Sequence, residues 1–279
     1  SEWTSRRCGA RDIHTDDVTG RRNRQVRLSG KVAIVSGSTR GIGRSIAEMF
    51  AREGAKVAVT GRTVDRGLKV VGNIRDAGGD AEYFPLDITD ERSVQTVMDA
   101  VAERFGKLDV LINNAAPTDA VSTSVKPLIE YSTQEWDRII TGTLTGNVFW
   151  ACKYGVPHLI AAGGGSVVNI SSGQSIVGLS GFAAYGAAKG AINSITRSLA
   201  VECAPHNIRV NTIVVGRVIA HARDTGVGVG PGHLTRLGIP NDIAYCATWL
   251  ASEESGFVTG SLVTADGGFT INGNAIAGM

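Results

Sequence analysis

No apolar run in this chain of 279 residues approaches the roughly 18 needed to cross a bilayer. No apolar stretch near the start resembles a secretory signal. The four cysteines, Cys8, Cys152, Cys203 and Cys246, lie far apart and form no C-x-x-C pair. That excludes a thiol redox motif, argues against a clustered-cysteine metal site, and suits a reducing compartment. The net charge is only +2, too small to point to nucleic acid or an acidic membrane as partner. The expectation is a cytoplasmic protein with no nucleic-acid, membrane or metal partner.

Glycine, by contrast, is abundant: 36 residues, nearly twice the average share of about 7%. The glycines cluster at the ends of apolar runs, where tight turns and close backbone approaches need them. Hydrophobic residues make up 43% and charged residues 19%, enough apolar material for one large α/β domain. Residues 1–27 stand apart, with Arg6, Arg7, Arg11, Arg21, Arg22, Arg24 and Arg27 against Glu2, Asp12, Asp16 and Asp17. The arm carries +3, and the 21 basic and 22 acidic residues of the body leave it at −1. An organelle transit peptide, an oligomer strap and a plain surface extension are the readings for this arm. A transit peptide should be poor in acids, and the surface extension is expected.

From Lys31 onward the pattern is regular. Short β-branched runs read as buried parallel strands at Val32–Ser36, Lys56–Thr60, Ala81–Leu86, Val110–Ile112, Ser166–Ile170, Arg209–Val214 and Leu262–Thr264. Helix-period segments lie between them: Arg44–Glu53, Val64–Ala77, Glu91–Phe105, Gln134–Leu159, Tyr185–Cys203 and Pro240–Ala251. The alternation predicts a doubly wound parallel sheet in a single domain over residues 28–279.

Directly after the first strand comes Ser36-Gly37-Ser38-Thr39-Arg40-Gly41-Ile42-Gly43, opening into a helix. Such a loop lets the backbone approach a pyrophosphate and aims the free N–H groups of a helix N-terminus at it. Gly163-Gly164-Gly165 precedes a strand and the glycines from Gly226 to Gly232 lead into no helix, so both read as turns. The second strand ends at Thr60-Gly61-Arg62, without the acid that would bind the ribose 2′-hydroxyl of NAD. Arg62, with Arg40 in the loop itself, suits a 2′-phosphate. NADP(H) is therefore the expected cofactor.

Tyr185 and Lys189 stand at i and i+4, on one face of a helix. The strand before them ends in Ser171-Ser172, which in a doubly wound sheet faces the same crevice as the glycine loop. Together with Asp87 after the third strand, Asn113-Asn114-Ala115 after the fourth, and Asp266-Gly267-Gly268, these residues closely resemble the short-chain dehydrogenase/reductase family, over nearly all of residues 28–271. The resemblance implies an oxidoreductase acting on a small-molecule carbonyl or alcohol. Tyr185 would be the general acid or base, Lys189 would favour the phenolate and hold the nicotinamide ribose, and Ser172 would bond the substrate oxygen. Gly37, Ser38, Thr39, Arg40, Gly41, Ile42 and Gly43 would hold the phosphates, and Arg62 the 2′-phosphate. Asp87 and Ile88 would flank the adenine, Asn113 and Ala115 would pass beneath it, and Val218 would meet the carboxamide.

Four positions depart from the family. Counting from Trp136-Asp137, the usual catalytic asparagine is Thr143, with Asn147 one turn further on. Family knowledge gives the asparagine two jobs: shaping a helix distortion and presenting a backbone carbonyl to a water linked to the lysine. A threonine keeps the carbonyl, so an intact relay through Thr143 is expected; Asn147 as a substitute and an impaired chemistry are the alternatives. Ala116 replaces a glycine, and Val215-Gly216 and Ala220 stand where proline-glycine and a threonine are usual. His221 and His233 bound the stretch where the family has its substrate lid, and both read as surface histidines. The alternative to an active enzyme is a catalytically impaired sensor or scaffold that binds NADP(H). The resemblance implies a homotetramer or homodimer paired through Gln134–Leu159 and Tyr185–Cys203, and Tyr185–Cys203 itself has more apolar positions than one buried stripe requires.

Overall fold

The computed structural model of the chain describes residues 26–123, 125–219 and 232–272. Most of the arginine-rich arm, Cys8, Ala220, His221 and Gly226 lie outside the described residues. Seven strands form one parallel sheet: β1 (Val32–Val35), β2 (Lys56–Gly61), β3 (Asp80–Pro85), β4 (Val110–Asn113), β5 (Gly165–Ile170), β6 (Ile208–Val215) and β7 (Leu262–Ala265). Their order is β3-β2-β1-β4-β5-β6-β7. The chain reverses its direction of travel across the sheet between β1 and β4, and ligands of doubly wound sheets bind beyond the strand ends at such a switch point.

The strands read as continuous apolar runs because both of their faces are covered. Successive side chains point to opposite faces. Ala33 and Val35 of β1 therefore join Ile46 and Phe50 of α1 (Gly41–Arg52), Val70 and Ile74 of α2 (Val64–Asp76), and Ala247 and Leu250 of α8 (Pro240–Ala251). Val32 and Ile34 face the other layer, against Met98 of α3 (Glu91–Phe105), Leu159 of α6 (Ala151–Ala161) and Ile192 of α7 (Ala183–Cys203). Two short helices, α4 (Thr118–Thr123) and α5 (Thr133–Ile140), lie between β4 and α6.

Two expectations needed correction. The helix after the glycine loop starts at Gly41, three residues before Arg44, so Gly41, Ile42 and Gly43 form its first turn. The segment expected as one helix over Gln134–Leu159 is α5, then a π-helical stretch Thr141–Trp150, then α6. Its sequence, Thr-Gly-Thr-Leu-Thr-Gly-Asn, is poor in helix formers. Gly146 also brings the backbone so close to the β3–α3 connection that a Cβ there would sit 1.6 Å from the Ile88 carbonyl oxygen. A widened turn accommodates that contact where a regular α-helix was anticipated.

Candidate active site

The loop after β1 is shaped by Gly37 and Gly41, with φ of 63° and 54°, values that disfavour L side chains. Arg40 takes the N-cap position of α1 without a side-chain capping bond, and the first turn contains no acid. The N–H groups of that turn therefore face the crevice without a side-chain acceptor, in the arrangement that binds phosphate. Ser38 is fully buried; its Oγ donates to Val35 O at 2.7 Å and accepts from Thr60 N at 2.8 Å. Its side chain thus locks the loop to the end of β2. Arg40 and Arg62 are both exposed beside this loop. The Arg40 Nη2 donates to Thr118 Oγ1 at 2.7 Å. Partial burial opposes it, but backbone donors and then the charges of Arg138 and Arg62 hold the neighbouring Asp119 below the usual carboxylate range. Helix N–H groups without a side-chain acceptor, a glycine cradle and two exposed guanidinium groups fit the phosphates of a dinucleotide.

Ser36 joins this half to the rest of the site, and the sequence reading passed over it. Its Oγ accepts from Asn114 N at 2.8 Å and from Ala115 N at 2.9 Å, and donates to Asn147 Oδ1 at 2.7 Å. The glycine loop, the turn after β4 and the π stretch thus meet at one hydroxyl. Its place between a strand end and a glycine was the available signal. Asn113 turns inward: its Nδ2 donates to Asn169 Oδ1 at 2.8 Å, Asn169 Nδ2 to Thr196 Oγ1 at 2.9 Å, and Thr196 shares a 2.7 Å bond with Thr212. That chain fastens β4, β5, α7 and β6, so Asn113 can offer the crevice only its backbone. Asp87 Oδ1 accepts from the Thr89 amide and hydroxyl at 2.9 and 2.7 Å, which fixes the turn containing Ile88.

At the end of β5, Ser172 is buried, and its neighbour Ser171 donates to Lys189 O at 3.1 Å. That bond sets α7 against the strand. Lys189, only 2% exposed, donates from Nζ to Ile170 O at 2.6 Å and lies 5.5 Å from the Tyr185 ring centroid. Burial pushes the Tyr185 phenol up to about 12, opposed by its hydrogen bond with Ser172. Burial also pulls Lys189 down to about 7. Loss of solvent penalises charge on both groups. Ser172, Tyr185 and Lys189 are thus brought together. Thr143 and Asn147 lie in the π stretch; Thr143 Oγ1 and Asn147 Nδ2 are buried without a hydrogen-bond partner among the described residues.

Beyond β6, Val218 forms an isolated bridge with Gly238. A cavity of about 500 Å³ opens there, lined by Gly216, Val218, Arg236 and Gly267 but not by Ser172, Tyr185 or Lys189. His233 is not the surface residue expected: it is 3% exposed, accepts from Arg217 N at 3.1 Å and packs on Phe269 at 5.3 Å between centroids. Asp266 holds Phe269 in place by accepting from Gly268 N and Thr270 N, each at 2.8 Å. The late Asp-Gly-Gly turn therefore supports the loop that follows β6. The glycine-rich composition around His233 concealed this packing.

The family model described as enoyl-(acyl carrier protein) reductase matches residues 37–270. The chain belongs to the short-chain dehydrogenase/reductase family. It is 38% identical over 258 residues to an NADP-dependent (R)-specific alcohol dehydrogenase of Lentilactobacillus kefiri, covering 88% of this chain and 98% of the relative. Identity to a 7alpha-hydroxysteroid dehydrogenase of Clostridium sardiniense is 37% over 254 residues, covering 88% and 95% of the two chains. The structure of a short-chain type dehydrogenase/reductase from Mycobacterium marinum superposes with a TM-score of 0.79 at 30% identity, covering 88% of this chain and 97% of that one. These relatives make the protein an oxidoreductase acting on CH–OH or C=O groups, in a family that uses nicotinamide dinucleotides. Among the described residues no helix is long and apolar enough to cross a membrane.

Proposed function

We propose that this protein reduces a ketone or aldehyde, or oxidises the corresponding alcohol, with NADP(H) and with Ser172, Tyr185 and Lys189 as its catalytic residues. The observation that carries the reading is the meeting of these three side chains at the end of β5, across the switch point from an uncapped helix N-terminus flanked by Arg40 and Arg62. Gly37 to Gly43 would hold the phosphates and the two arginines the 2′-phosphate. Asp87, Ile88 and the backbone of Asn113 to Ala115 would line the adenosine, and Val218 would meet the carboxamide. Bound there, the nicotinamide supplies or accepts the hydride.

In reduction, Tyr185 Oη gives its proton to the substrate oxygen, and Ser172 Oγ donates a hydrogen bond to the same oxygen as charge builds on it. In oxidation the phenol must first lose its proton. Lys189, once protonated, favours the phenolate by its charge and would bond the nicotinamide ribose. Thr143 retains the backbone carbonyl that the family's asparagine contributes to the proton relay, and its π stretch supplies the helix distortion.

Self-association fits the same reading. Ala191, Ile195 and Leu199 of α7 are partly exposed, and Val201 and Phe149 are exposed. A homotetramer or homodimer would cover them, and light scattering at micromolar concentration gives the mass. The direct test of the cofactor is turnover of a ketone panel with NADPH and with NADH. Strong preference for NADPH is expected; a preference for NADH removes the phosphate assignment.

A further inference from the structure

Ser172 has a neighbour that the family pattern does not require. Its Oγ donates to the side-chain oxygen of Gln174, and Gln174 N approaches the same Oγ at 3.4 Å. A serine hydroxyl has one proton to give. Directed at Gln174 Oε1, that proton is withheld from a carbonyl oxygen seated between Ser172 and Tyr185. A half-turn of the amide replaces Oε1 by Nε2 in nearly the same volume and reverses the bond. The hydroxyl then accepts from Gln174, and its proton is free for the substrate.

The backbone around Gln174 is held from several directions, which leaves the side-chain torsions as its main freedom. The turn Gly173–Ser175 is closed by Ser175 Oγ donating to Ser172 O at 2.5 Å, and Asn193 Nδ2 of α7 donates to Ser175 Oγ at 2.8 Å. The Gln174 carbonyl lies against Gly186 of α7, where a Cβ would come within 3.1 Å. On the far side, a Cβ on Gly173 would stand 2.7 Å from the Phe269 ring. The backbone that carries the amide is therefore held in place beside Ser172, and the amide itself meets the Ser172 hydroxyl.

We propose that Gln174 is a positioning residue that sets the direction in which the Ser172 hydroxyl donates, holding it off the substrate through Oε1 and releasing it through Nε2. The proposal rests on the Ser172-Tyr185-Lys189 reading above. Two substitutions of similar size separate its halves. Gln174→Glu, when ionised, can only accept, so it keeps the proton of Ser172 from the substrate. Gln174→Met binds it in neither sense.

The experiment is steady-state ketone reduction with NADPH by the full-length wild type and these variants, from about pH 5 to 9. The glutamate variant is expected to lose about thirtyfold or more in kcat at about pH 8 with little change in KM, and to recover as the pH falls and the new carboxyl gains a donating proton. The methionine variant is expected to lose only about two- to fivefold. In a Ser172→Ala background, where no hydroxyl remains to misdirect, adding Gln174→Glu should change the residual rate less than about threefold. Equal losses in both single variants, or a glutamate loss that persists at full size without Ser172, overturn the proposal. A wild type inactive on every ketone defeats the oxidoreductase site itself, whereas an active wild type with an unaffected glutamate variant defeats the role of Gln174 alone.

Discussion

The two ends of the crevice are built from different materials. Around β1, β2 and the end of β4, the surface offered to a ligand is main chain: glycines in left-handed conformation, the uncapped first turn of α1, and a turn suspended from Ser36. Around β5, β6 and α7 it is side chain: Ser172, Tyr185, Lys189 and Gln174, each placed by packing against a distant element. Main-chain recognition needs only a local conformation and suits a ligand with a constant phosphate pattern. Side-chain chemistry needs desolvation, and burial at this end shifts Tyr185 up and Lys189 down. The first end can be altered by changing a charge at its rim, the second by changing a proton.

A large effect expected from probing the difference concerns the arginines. Replacing Arg40 and Arg62 together with neutral residues should weaken NADPH binding by about 100-fold or more, since a hydrogen bond to a charged group contributes roughly 1.5–3 kcal/mol. NADH binding should change little. Equal weakening of both cofactors in a fluorescence titration would show that neither arginine meets the 2′-phosphate.

The pH dependence sharpens the other end. With its phenol at about 12, Tyr185 stays protonated at neutral pH and is set as a proton donor. Between about pH 7 and 9, ketone reduction should be nearly flat, while alcohol oxidation should rise by about tenfold per pH unit as the phenolate fraction grows. Oxidation that is level from pH 7 to 9 in stopped-flow traces would mean the phenol is already ionised there.

How much of this was legible in the sequence follows the same division. The strands were placed within a residue or two because buried parallel strands are apolar on both faces. The glycine loop was legible because its chemistry is local. The π stretch was not, because it depends on Gly146 meeting the Ile88 carbonyl across a gap of nearly sixty positions. His233 was misplaced for a related reason: its burial comes from Phe269 and the Arg217 amide, partners that no periodicity around it announces. Ser36 and the inward turn of Asn113 share that character, since each bonds to a partner on another element.

A smaller effect is expected at Thr143. If its contribution lies in the backbone carbonyl, Thr143→Val should keep turnover within about fivefold, since a buried hydroxyl without a described partner gives up no bond there. A loss beyond about a hundredfold in kcat would assign the hydroxyl itself to the relay.

The central claim is that Tyr185 carries the proton while the main-chain end holds the cofactor, and Tyr185→Phe tests both parts in one protein. The ring stays and the hydroxyl goes, so NADPH affinity measured by titration should remain within about twofold, while kcat for ketone reduction should fall by about 10²–10⁴, the usual worth of a positioned general acid. Turnover within about tenfold of wild type, at unchanged NADPH affinity, would contradict the account.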